Sequence, residues 1–161
     1  EVRTITVDLN QKALFAVADG WQRVGVATDT VIIPQQRAQD REYRAGYPGF
    51  MLERQPDRVN DVDRYHSSQT PLVENRFSGT WRPGYKHPEM DGLIERFVTT
   101  IPLQERMDVL RQLVAHMTDQ VVMMGLFYDV TPTMIANRLK NVSPARGGAS
   151  QSWNAHEWEL R

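Results

Sequence analysis

The sequence predicts a mixed α/β fold, on three observations. Alternating β-branched and polar residues open the chain at Val2–Val7, a helical apolar pattern follows from Asp8 to Val24, and a second β-branched run occupies Val26–Ile33. Strand, helix and strand over so short a span make a βαβ unit, whose crossover lays the two strands parallel. Further on, two consecutive amphipathic patterns between Pro88 and Val121 lead into Val122–Tyr128, an apolar stretch of strand length.

The 161 residues, 40% of them hydrophobic, suffice for one core, and the length argues for one domain. Lys and Arg total 19 against 20 Asp and Glu, a formal net charge of −1. That balance offers no general attraction to nucleic acid or to an anionic membrane, since both need a basic excess. No apolar run reaches the roughly 18 residues of a membrane span. The chain opens directly on a strand-like run without methionine or leader, which reads as a piece of a longer protein. The absence of cysteine excludes disulfides, thiolate metal sites and cysteine nucleophiles.

Each element has its own signal. Asp8 followed three residues later by Gln11 predicts a capping box, with Leu9, Ala13, Leu14, Val17, Trp21 and Val24 on the buried helical face and Gly25 at its end. Pro34 opens a polar helix over Gln35–Arg44, expected on the outside and interrupted by Gly46, Pro48 and Gly49. Gly49–Glu53 reads as a third short strand. The Arg54–Arg64 stretch mixes charges of both signs, and over Pro34–Arg64 six arginines stand against six acidic residues, a balance that argues against a phosphate-binding patch. Pro71, Gly79, Pro83 and Gly84 mark residues 69–85 as a loop carrying Phe77 and Trp81. So long an irregular segment in a compact domain is more often functional or partner-covered than idle.

Pro88 suits a first helical turn, where its missing N–H would have no partner, and Glu89 and Asp91 put negative charge at the positive end of the helix dipole. Met90, Leu93, Ile94, Phe97 and Val98 then mark a buried face that Thr99 and Thr100 close. Pro102 opens the next helix, with Leu103, Met107, Leu110, Val114, Met117 and Val121 as its apolar stripe. Val122–Tyr128 is expected as a buried strand, Thr131-Pro132-Thr133 as a turn, Met134–Leu139 as a further strand and Ser143–Ser152 as flexible.

The order Gly84-Tyr85, His87-Pro88-Glu89-Met90-Asp91, an amphipathic helix, Glu105-Arg106 at the next helix start and a long helix entering an apolar strand resembles the C-terminal part of the family 5 extracellular solute-binding proteins. These are the peptide, oligopeptide and nickel type receptors of ABC importers. Their segment usually reads Gly-Tyr-x-Asn-Pro-x-x-Asp, and His87 stands where Asn is usual. The likeness reaches back through the turn at Val24-Gly25-Val26 and through Asp61–Ser68, where Val62 replaces a proline. It implies the C-terminal lobe of a type II periplasmic-binding-protein-like fold over 1–161, with a tail over 129–161 loosely anchored without the missing lobe. The implied function is the substrate-binding component of an ABC importer, periplasmic or extracellular. Such a receptor captures a small solute, peptide-like or other, between two lobes by hinge closure and presents it to a membrane permease. The partners implied are the solute, the permease and the N-terminal lobe, and a fragment would expose apolar surface through which it could dimerise.

In an open parallel sheet, ligands meet the carboxyl ends of the strands, which points to the loop after the third strand. Its candidates are Glu53, Arg54, Gln55, Asp57 and Arg58, with Phe77 and Trp81 able to stack on a ligand or wall it off. Arg54 and Arg58 suit a carboxylate or phosphate, because guanidinium offers a planar fork of donors. Glu53 and Asp57 are the acids available to a peptide amino terminus, but peptide specificity is not carried over from the resemblance. The plainer readings are a solvated charged turn and aromatics that cap a core. His87 and Asp91, four apart, read as a helix cap with a dipole-stabilising acid, since metal sites need three or four converging ligands. His116 reads as a boundary residue, His66 and His156 have no partners at ligand spacing, and Asp61 and Asp63 read as solvated. No Gly-x-Ser-x-Gly, phosphate loop or dinucleotide fingerprint occurs, so no active site, metal or cofactor is expected. Two rivals stand beside the receptor reading: a small metal-dependent hydrolase using His87, Asp91 and His116, and a protein-interaction module.

Overall fold

The computed structural model describes residues 1–55, 59–129, 132–145 and 150–160, the side chains of 59 and 60 excepted. Strand β1 (Val2–Ile5) lies between β2 (Thr30–Ile33) and β3 (Phe50–Leu52). Both neighbours run parallel to it, Val2 standing beside Thr30 and Phe50, and Ile5 beside Ile33. The crossover from β1 to β2 is α1 (Asp8–Arg23), so the βαβ unit forms as its pattern predicts. Leu14 of α1 and Ile33 are fully buried, and Trp21 meets the ring of Phe50 edge-on at 5.1 Å. Val2 and Thr4 are buried beside Arg3, whose guanidinium lies over the rings of Tyr43 and Tyr47 at 5.0 and 4.7 Å and donates to the Tyr43 carbonyl.

Several local expectations change. Val7, not Asp8, holds the N-cap position of α1 and makes no side-chain cap; Asp8 is already inside the helix, so the capping box does not form. The buried face centres on Asn10 and Leu14, leaving Leu9 and Val24 exposed at its margins. The second strand begins at Thr30, and 26–29 is irregular. The polar helix over 35–44 splits into a 3-10 turn, Gln35–Arg37, and a short α2 (Arg41–Ala45). Asp40 causes the break: its carboxylate accepts from the Tyr43 N–H and from Arg37, taking the N-cap role that a continuous helix would deny it.

A second packing unit follows. Helix α3 (Pro88–Thr99) buries Met90, Leu93, Ile94 and Phe97 against Val109 and Leu113 of α4 (Leu103–Asp119). Val62, from the 3-10 segment Val59–Tyr65, and Trp81 complete this core. The stripe expected on α4 is turned aside. Val109 and Leu113 are its buried centre, Met107, Leu110 and Met117 are half-buried, and Leu103, Val114 and Val121 face outward. Val98 of α3 is also exposed.

The largest departure comes after α4. Residues 122–128 form no strand; apart from half-buried Val122 they are exposed, with Tyr128 at 87%. A strand needs a ladder partner for its backbone groups, and the described residues offer none here. The strand expected at 134–139 shrinks to its last residue, which begins β4 (Leu139–Lys140), paired antiparallel with β5 (Glu159–Leu160). Thr131 and residues 146–149, within the expected turn and flexible stretch, lie outside the described residues. Asn154, fully buried, organises the tail by donating to the Asn141 carbonyl and to Glu157 and by accepting from the Trp158 indole. Among the described residues no helix is long and apolar enough to cross a membrane.

Candidate ligand-facing edge

Because all three strands of the sheet are parallel, their carboxyl ends share one edge, and β3 delivers Glu53, Arg54 and Gln55 to it. Glu53 is fixed there by two arginines. Arg44, at the end of α2, donates to its carboxylate at 2.6 Å, and Arg82, from the long loop, donates to both oxygens at 3.0 and 3.1 Å. These charge-assisted bonds to Glu53 tie the sheet to the loop of the second unit. Its carboxylate is therefore committed within the chain. Gln55, exposed, reaches the same carboxylate at 3.5 Å.

Beneath this edge lies Tyr47. Burial first, and then the nearby Glu53 charge, push its hydroxyl up to about 12, against the opposing pull of Arg82, Arg3 and Arg44. Arg54 extends outward, its side chain 64% exposed, and pairs with Asp129 at 3.3 Å, joining the strand end to the segment after α4. Asp57 and Arg58 lie outside the described residues.

The two loop aromatics separate. Trp81 is 3% exposed, donates its indole N–H to the Tyr85 carbonyl at 2.8 Å and meets Tyr65 edge-on at 5.2 Å. It occupies the core of the α3–α4 unit. Phe77 is half-buried and sits, like Arg76, in the left-handed region. The edge thus brings together Glu53, Arg54, Gln55 and Arg82, with Trp81 buried behind Arg82 in sequence. Sequence reasoning missed Arg44, Tyr47 and Arg82 because each reaches Glu53 through the tertiary fold.

The histidines also rearrange. Asp91 does not face His87; it accepts from the Ser67 N–H at 2.8 Å and from the Ser67 hydroxyl, securing the 3-10 turn Ser67–Gln69 to α3. His87 stands at the N-cap position but makes no cap bond. His66 is not isolated, lying 3.5 Å from Glu95 and 3.9 Å from Asp91, and His156 lies 3.8 Å from Glu157. Among the described residues one grouping has metal-ligand spacing: His87, Glu89 and His116, whose candidate ligand atoms all lie within 4.8 Å of one another.

No family model matches the chain, and no curated protein matches it. Its fold is similar to that of NikZ from Campylobacter jejuni, solved in complex with Ni(L-His), with a TM-score of 0.62 and 14% identity. The alignment covers 98% of this chain and 32% of NikZ, so the chain spans about a third of that protein's length. At that identity the likeness is one of fold. The chain has a mixed α/β fold similar to that of part of NikZ.

Proposed function

We propose that this chain is the C-terminal lobe of a solute-binding component of an ABC importer, of the family 5 type, working in the periplasm or outside the cell. The observation that carries the reading is the fold likeness along nearly the whole chain to about a third of NikZ, a protein solved in complex with Ni(L-His). The parallel sheet supports it, since its strand ends meet at the Glu53–Gln55 edge, where such sheets take ligands. So do the exposed apolar residues after α4, which suit an N-terminal lobe from the same protein.

On this reading the solute is held between two lobes, and binding stabilises the closed form that a permease receives. No covalent chemistry is involved. Arg54 and Arg58 are the groups proposed to meet a carboxylate or phosphate of the solute, with Gln55 and Asp57 beside them; Phe77 is the candidate aromatic wall. Glu53, held by Arg44 and Arg82, positions the edge. This lobe alone holds half a site.

Native mass spectrometry of the full-length protein as purified tests the reading, a retained small molecule being expected. The Arg54→Ala, Arg58→Ala double variant of that protein should then bind it more weakly by at least about tenfold, as loss of two charge-assisted contacts implies. Unchanged affinity removes the arginines from the site. Millimolar or tighter binding by the isolated chain contradicts the half-site.

A further inference from the structure

We propose that His87, Glu89 and His116 form a binding site for a divalent transition-metal cation that ties the start of α3 to α4. The site is built on the second packing unit and stands apart from the solute reading. Its ligand atoms come from two elements and lie within 4.8 Å of one another. Two imidazoles and one carboxylate suit zinc and its first-row neighbours, and three protein ligands leave one position open, for water. Ligand atoms around such an ion stand roughly 3.3 Å apart, given metal–ligand lengths near 2.0–2.1 Å. The Glu89 carboxylate already stands close to that spacing from His116, and its side chain, 68% exposed, has room to adjust.

Two further observations point to a ligand at this place. The Nδ1 atom of His87 is buried and has no hydrogen-bond partner, a state that native structures rarely leave unexplained. The His116 side chain is only 8% exposed, and its Nδ1 lies 3.6 Å from the Glu89 carboxylate. Tyr85 holds both rings. Its hydroxyl lies 2.9 Å from Nε2 of His116, and its own ring stacks on His87 with an interplanar angle of 7°. When Nε2–H donates to the Tyr85 oxygen, Nδ1 keeps its lone pair toward Glu89. That is the outer partner by which proteins fix a metal-binding histidine's tautomer. The two histidine rings stand 4.7 Å apart, centroid to centroid. The α3 dipole opposes a cation at its N-terminus, but Pro88 removes one of the N–H groups that make that end positive, and the Glu89 charge offsets the remainder.

The test is a titration of the untagged, chelator-treated chain with Zn²⁺ in competition with a chromophoric chelator, alongside thermal unfolding with and without Zn²⁺. One equivalent should bind saturably and raise the midpoint of unfolding. His87→Ala and Glu89→Gln should each weaken binding at least about tenfold, while His156→Ala, on an exposed tail residue, should not. Circular dichroism of the metal-free variants checks that each keeps its helices. Absence of saturable binding, or less than that loss in either folded variant, overturns the site. None of these results bears on solute capture by the full-length protein.

Discussion

Gly49 is the residue whose identity the sheet fixes most tightly. Its φ is +131°, and an added Cβ would stand 2.1 Å from the Glu1 carbonyl oxygen, which also accepts the Phe50 N–H that begins the β3 pairing. Gly49→Ala should therefore destabilise the chain by about 2 kcal/mol or more, combining backbone strain with a collision against backbone. A denaturant midpoint within error of the parent would show that the Tyr47–Gly49 turn yields at little cost. Tyr47 makes a different prediction. Its hydroxyl ionises near 12 in the folded chain, against an ordinary value of 10.0. Since the neutral form is favoured on folding, its contribution is complete below about pH 10 and is lost as pH rises toward 12. Burial raises Tyr65 as well, so the check is the difference Tyr47→Phe makes: tyrosine absorbance in a titration should lose a group ionising near 12, and a variant curve that keeps it sinks the assignment. These residues also show what the sequence could reveal. Glu53 was legible as a candidate because it ends a strand. Its partner Arg82 lies 29 positions away and Tyr85 lies 31 from His116, and one sequence does not express distances that only the packed chain creates.

At the scale of elements, α1 and α4 end in the same way with different residues. In α1, Gly25 at φ +87° donates to the Gln22 carbonyl and Val26 donates to Trp21; in α4, Val121 at φ +50° donates to Thr118 and Val122 donates to Met117. Both are Schellman closures, whose left-handed position favours glycine. A β-branched valine there is strained, and the residue is 61% exposed, so little packing is lost by removing its side chain. Val121→Gly should stabilise the chain by about 1 kcal/mol, the left-handed penalty outweighing the added chain entropy. A lower melting temperature for the variant would mean that Val121 makes apolar contacts outweighing its strain. Here the sequence was legible in part. Pro88 at the first turn of α3 and Gly25 after α1 are local signals and fell where they were read. The face of α4 was misplaced because its apolar residues cover a wide arc, and periodicity alone does not say which part of that arc finds α3. The strand at 122–128 failed for a related reason: apolar composition records a need for burial, not the partner that meets it.

For the whole molecule, that unmet need is the main physical fact. Val98, Ile101, Leu103 and Val114 stand exposed on the helix pair, and Met123, Met124, Leu126, Phe127 and Tyr128 are exposed in the segment after it. Large apolar side chains left in solvent at this density are what an interaction surface covers. The sheet is incomplete by the same measure: three strands of three or four residues, with both edges, β2 and β3, open among the described residues. A solvated edge and an extended apolar segment both lower their free energy by gaining a strand partner and cover. The proposed N-terminal lobe would supply that partner, whereas a self-contained enzyme would have no use for the exposed segment. Hydrogen exchange separates the alternatives. In the isolated chain the amides of 123–128 should exchange at nearly the rate of an open peptide, since no ladder includes them. In the full-length protein the same amides should slow by roughly a hundredfold or more, joining a cooperative unit with the added lobe, because segments integrated into a core exchange only on larger openings. Equal rates in the two forms would leave the segment without a partner in its own protein, and the proposed receptor lobe would have to give way to a module that docks on another chain.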